Sequence, residues 1–87
     1  MKIRFHPPLD RLAGGSREMD FSHPVSVADL LRLLKRKMPF LVPYIGFSPP
    51  GKQAHGILIW KGQKLLELDD MLLPNDCIEI IVMAAGG

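Results

Sequence analysis

Only one stretch of this chain carries helical periodicity, and that limits the architectures open to it. Val27, Leu30, Leu31, Leu34 and Met38 recur at helical spacing, giving one apolar stripe along a helix of about three turns. Ser26 is a good N-cap, with Asp29 three residues on in the manner of a capping box. Arg32, Lys35, Arg36 and Lys37 crowd the other end, where cations meet the negative pole of the helix dipole, and Pro39 stops the helix. The other strongly patterned segments alternate with a period of two, as half-buried strands do. A sheet must bury one face, and a lone helix can cover only one. The pattern therefore predicts an α+β chain: a mixed sheet of four to five strands with one main helix packed across one face.

The strands are read as follows. In Lys2–His6, Ile3 and Phe5 point one way and Lys2, Arg4 and His6 the other, until Pro7-Pro8 removes two backbone donors. Leu9–Gly15 reads as a loop ending in two glycines, and Ser16–Phe21 as a second strand, antiparallel to the first, with Met19 and Phe21 on one side. After the helix, residues 40–55 read as a long connection anchored by Phe40, Leu41, Tyr44, Ile45 and Phe47. Ile57–Lys61 is the third strand. Gly62-Gln63 suits a type II′ hairpin turn into a short strand at Lys64–Leu66. Asp69–Leu73 suggests a single helical turn, and Pro74-Asn75-Asp76 a tight turn. Cys77–Met83 is the strongest strand, with Ile78, Ile80 and Val82 on the inner face and Cys77, Glu79, Ile81 and Met83 on the outer. The first and last strands can lie side by side at the centre. Ile3, Phe5, Ile57 or Leu58, Ile78, Ile80 and Val82 would then meet the helix stripe, which is the β-grasp arrangement of ubiquitin-like proteins.

At 87 residues this is one domain, expected to span 1–83 with a flexible tail at 84–87. No apolar run approaches the roughly 18 residues of a membrane span, and the first residues lack the apolar core of a signal peptide. A cytoplasmic protein without a membrane partner is expected. The net charge of +2 is dispersed apart from the helix end, which reads as a solvated face rather than the clustered charge that nucleic acid requires. The single cysteine, Cys77, permits no internal disulfide and is expected to behave as a small packed residue rather than a reactive thiol. His6, His23 and His55 lack metal-ligand spacing, so no metal site is expected.

The functional signal lies in the last residues. Two glycines, Gly86 and Gly87, follow the strongest strand after only two small residues, Ala84 and Ala85. A terminal carboxylate can attack the α-phosphate of ATP and become an acyl-adenylate. An activating enzyme must then thread the tail through a narrow, water-excluding site, where a residue without Cβ lets the backbone approach closely.

In size, element order and Gly86-Gly87 ending, the chain resembles the MoaD/ThiS family of sulfur carriers. Pro74-Asn75-Asp76 before Cys77-Ile78-Glu79-Ile80 is similar to the family's D-G-D-x-V segment, and Val25–Leu31 to its T-V-x-x-L-L segment. The resemblance implies that a ubiquitin-activating-type enzyme adenylates Gly87 with ATP and magnesium. A persulfide sulfur donor then displaces AMP, leaving a thiocarboxylate that delivers sulfur in cofactor biosynthesis. It implies a carrier rather than an enzyme, with no bound cofactor and with a larger catalytic subunit as partner. The long 40–55 connection favours the molybdopterin-synthase type. Alternatives are a thiamine-type carrier, a ubiquitin-like protein modifier joined through the same carboxylate, and a non-covalent β-grasp binding module. Ile81, Met83, Ala84 and Ala85 are the expected partner-binding residues, on the outer face and tail, and Arg4 and Glu79 are expected as cross-strand neighbours on that face.

Overall fold

A computed structural model of the chain describes residues 1–45 and 56–82. Alternation and turn residues produce β1 (Lys2–Phe5), β2 (Ser16–Glu18), β3 (Val25–Ser26), β4 (Ile57–Lys61), β5 (Lys64–Leu65), β6 (Met71–Leu72) and β7 (Cys77–Val82). The helices are α1 (Leu9–Ala13) and α2 (Val27–Lys37), and a short 3-10 turn covers Pro39–Leu41.

Among the described residues, five strands form one mixed sheet in the order β2-β1-β7-β4-β5. β1 and β7 run parallel, with Lys2 opposite Cys77 and Phe5 opposite Ile80, and the other pairs are antiparallel. Two parallel neighbours need a long crossover, and α2 lies within it. The helix stripe Val27, Leu30, Leu31 and Leu34 is buried in one cluster with Ile3, Phe5, Ile57, Ile59, Ile78 and Ile80. The inner residues of the third strand are thus Ile57 and Ile59, while Leu58 and Trp60 are half-buried on the opposite side. The architecture is a small α+β fold with one main helix over one face of a mixed sheet.

Local chemistry agrees with these elements. Ser26 Oγ accepts the Asp29 N–H at 3.1 Å, which makes Ser26 the N-cap of α2. Gly62 has φ 61 and, among the described residues, none other than glycine has positive φ, as a type II′ turn between Lys61 and Lys64 requires.

Four expectations are corrected. Residues 9–13 form α1 rather than a loop. Leu9 and Ala13 stand one turn apart and are buried, and Gly14 at φ 78 closes the helix. Five residues are too few to display a helical period. The second strand ends at Glu18, although Met19 and Phe21 still pack on the core. Residues 69–73 do not make a helical turn. Met71–Leu72 form β6 and pair with β3, with Leu72 opposite Val25. This partner lies far away in sequence, and β6 buries only Leu72 while Met71 and Leu73 stay exposed. Cys77 is exposed rather than packed, because it shares the outer face of β7 with Glu79 and Ile81. In the connection, Leu41 and Ile45 are buried and Phe40 and Tyr44 pack on the cluster. Phe47 lies outside the described residues.

Candidate functional site

The outer sheet face is built by strand register. Ser16, Arg4, Glu79, Trp60 and Leu65 stand in one row across β2, β1, β7, β4 and β5. Beside this row, Ile81 faces Leu58. Leu58, Trp60, Leu65 and Ile81 are all half-buried, and together they leave an apolar strip along β7, β4 and β5.

The strip is bordered by a fixed polar group. The His6 Nε2–H donates to Glu79 Oε1 at 2.9 Å, and Arg4 Nη1 lies 4.0 Å from the same oxygen. A carboxylate only accepts, so this contact places the proton on Nε2. These charges are partly solvated, and the Arg4–Glu79 contact is worth at most about 1 kcal/mol. Its consequence is orientation: Glu79 is held towards β1, away from Trp60 and Ile81. An apolar strip beside ordered charges suits docking of a protein surface.

The predicted site residues divide into two sets. Ile81 is in place on this face. Met83, Ala84, Ala85, Gly86 and Gly87 lie outside the described residues. Sequence reasoning did not single out Leu58 and Leu65 for this face. The alternation of Ile57–Lys61 carried the signal, but two settings of its phase stayed open.

Asp76, in the segment before β7, has a positioning role. Its Oδ2 accepts the Leu73 N–H at 2.8 Å and lies 3.0 Å from Lys61 Nζ, and its carbonyl accepts the Lys2 N–H at 3.0 Å. One residue thereby ties the 73–76 turn to β4 and to the start of β1. The Leu73 N–H, and after it Lys61, hold the Asp76 carboxyl below its ordinary value, against the opposing effect of partial burial.

Among the described residues, no group of three or more His, Cys, Asp or Glu side chains could hold a metal ion. No helix among them is long and apolar enough to cross a membrane. Comparison with protein-family models and with curated proteins finds no match for this chain.

Proposed function

We propose that this chain is a β-grasp sulfur carrier of the MoaD/ThiS kind, acting in the cytoplasm and most favourably matched to molybdopterin synthesis. The observation that supports the reading is the central parallel pair β1–β7 under one main helix, α2, with β7 followed in sequence by Met83-Ala84-Ala85-Gly86-Gly87. The apolar strip around Leu58, Trp60 and Ile81 supplies a docking face for an activating enzyme and for a larger acceptor subunit.

In this reading a carboxylate oxygen of Gly87 attacks the α-phosphorus of ATP, and pyrophosphate leaves. A persulfide sulfur then attacks the acyl carbon, and AMP leaves. A thiol cleaves the resulting acyl disulfide, so that sulfur remains on the Gly87 carbonyl carbon as a thiocarboxylate. The carrier contributes the Gly87 carboxylate, and the ATP and magnesium belong to the activating enzyme.

The test is an intact mass of the protein from its native host, with fragmentation of the C-terminal peptide. Replacement of oxygen by sulfur nearly equals one methionine oxidation in mass, and the chain has five methionines, so the change must be localised. Sulfur at Gly87 supports the carrier. An isopeptide link from Gly87 to a lysine supports a protein modifier instead. An unmodified carboxylate in the presence of an active partner enzyme, without conjugates, leaves a non-covalent binding module.

A further inference from the structure

Among the described residues, β2 is an edge strand of the sheet with no partner on its outer side. The Phe5 N–H donates to Gly15 O at 3.1 Å and the Met19 N–H to Met1 O at 2.8 Å, while Arg17 stands opposite Ile3. In an antiparallel ladder a residue turns its N–H and C=O to the same side, and successive residues alternate. The Gly15 C=O, Arg17 and Met19 therefore bond towards β1, and Ser16 and Glu18 present their N–H and C=O outward. Among the described residues, no other backbone group bonds to these four.

Beside this edge runs an open groove of about 610 Å³ between β2 and α2. Arg17 and Met19 line it from the strand side, and Leu33, Lys37 and Met38 from the helix side. Glu18 and Asp20 complete its rim, but Glu18 is in register with Lys2 and turns to the outer face of the sheet. Across its two walls the groove thus combines two cations, Arg17 and Lys37, with three apolar side chains, and Asp20 stands at its rim. The Arg17 Nε–H donates to Ala13 O at 2.6 Å, leaving the two terminal amino groups of its guanidinium for another acceptor.

We propose that the β2 edge and this groove dock an extended acidic segment of a partner protein, added to the sheet as a sixth strand. Backbone pairing with Ser16 and Glu18 supplies the register. Alternate side chains of the segment face α2, where carboxylates meet Arg17 and Lys37 and an apolar residue covers Met19, Leu33 and Met38. The intervening side chains face Glu18 and are neutral.

A second copy of this chain is a poorer occupant. Three antiparallel registers bring the outward groups of two β2 edges together. One sets Arg17 against Arg17 and another Glu18 against Glu18, and like charges directly opposite are destabilising. The third centres on Ser16 and sets the remaining strand residues against Gly14 and Gly15, beyond the strand.

The test uses the full, ¹⁵N-labelled chain and a blocked seven-residue peptide in which threonine alternates with aspartate, valine and aspartate. At saturating peptide the Ser16 and Glu18 amides shift, and their hydrogen exchange slows about tenfold or more. The Arg17 and Met19 amides, already bonded to β1, gain little protection. Lys37→Glu, on the exposed end of α2, weakens binding about tenfold at low salt, as reversal of one facing charge should. Glu18→Pro removes one outward N–H and weakens binding as strongly, and Lys37→Glu decides the matter if that variant does not fold. Absence of binding at millimolar peptide overturns the proposal, as does unchanged affinity in Lys37→Glu. Equal binding of a peptide with lysine in place of aspartate also overturns it. Shifts centred on Leu58, Trp60 and Ile81, or edge shifts that follow protein concentration without peptide, would assign the contact to another face or to a second copy.

Discussion

Lys61 Nζ lies 3.0 Å from Asp76 Oδ2, the same oxygen that accepts the Leu73 N–H. A parallel arrangement exists one turn earlier. Asp70 Oδ2 accepts the Glu67 N–H at 2.8 Å, and Lys64 Nζ lies 3.8 Å from Asp70 Oδ1. Lys61 and Lys64 are partners across the β4–β5 hairpin, so one hairpin mouth addresses two aspartate-closed turns. The first turn precedes β6 and its Asp70 carbonyl accepts the Val27 N–H that begins α2. The second leads into β7. These contacts fix where the last strand starts.

The Asp76 contacts predict an acid-sensitive stability term. Its carboxyl is lowered from an ordinary 3.8, first by the Leu73 N–H. A lowered folded value means that the charged form is favoured by folding. The contribution is complete above the unfolded value and is lost as pH falls through the lower folded value. Asp76→Ala should destabilise the chain by about 1–3 kcal/mol at pH 7, the range for removing the partner of a hydrogen-bonded group. The difference between Asp76→Asn and the parent, measured by urea unfolding, should shrink below about pH 4. A difference that stays constant into acid would show that the charge contributes nothing.

Gly56 meets two constraints at once. It adopts φ 89, and a Cβ built there would lie 2.5 Å from the carbonyl oxygen of Tyr44. Gly62, at φ 61, has nothing within 4 Å of its Cβ position. Both Gly→Ala variants incur left-handed backbone strain of about 1–3 kcal/mol, but only Gly56→Ala must also displace backbone at the start of β4. Urea midpoints should therefore place Gly56→Ala below Gly62→Ala. The reverse order would mean that the 44–56 contact yields easily.

The helix start permits a more local measurement. Ser26 Oγ satisfies the Asp29 N–H, and Ser26 also pairs with Met71 through its backbone. Ser26→Ala should cost about 1 kcal/mol and Ser26→Asp only a few tenths, because a carboxylate also accepts at this position. If both variants lose the same amount, the β3–β6 pairing rather than the cap is what Ser26 supports.

Legibility in the sequence followed the length of each pattern. The stripe of α2 and the alternation of β1 and β7 each extend far enough to set their own phase, so Ile3, Phe5, Leu30, Leu34, Ile78 and Ile80 could be assigned to the core. Arg4 and Glu79 could be assigned to one face for the same reason, and their contact is observed. β3 and β6 contain two residues each and exist through each other, so nothing local announces them. The exposed Cys77 followed directly from the phase of β7, yet the general tendency of cysteine to pack outweighed it. On the candidate site, Ile81 was legible because it alternates with core residues. Leu58 was not, because apolar residues occupy both faces of β4 and leave its phase ambiguous.

Ile81 and Gly86 should separate docking from chemistry if the carrier reading is right. Ile81 is half-buried beside Leu58 on the open face, so Ile81→Glu forfeits one cross-strand apolar pair, about 1 kcal/mol, and the chain remains folded. The carboxylate would stand within the apolar strip that an activating enzyme must cover. It weakens ground-state and transition-state binding alike, which raises KM for the carrier while leaving kcat close to the parent's. Gly86→Ala acts differently. An added Cβ next to the reacting carboxylate obstructs the approach to the nucleotide, so kcat falls and KM changes little. ATP–pyrophosphate exchange with the purified activating enzyme reads both constants. A variant pair that shifts the same constant by the same factor would remove the distinction between a docking face and a threaded tail.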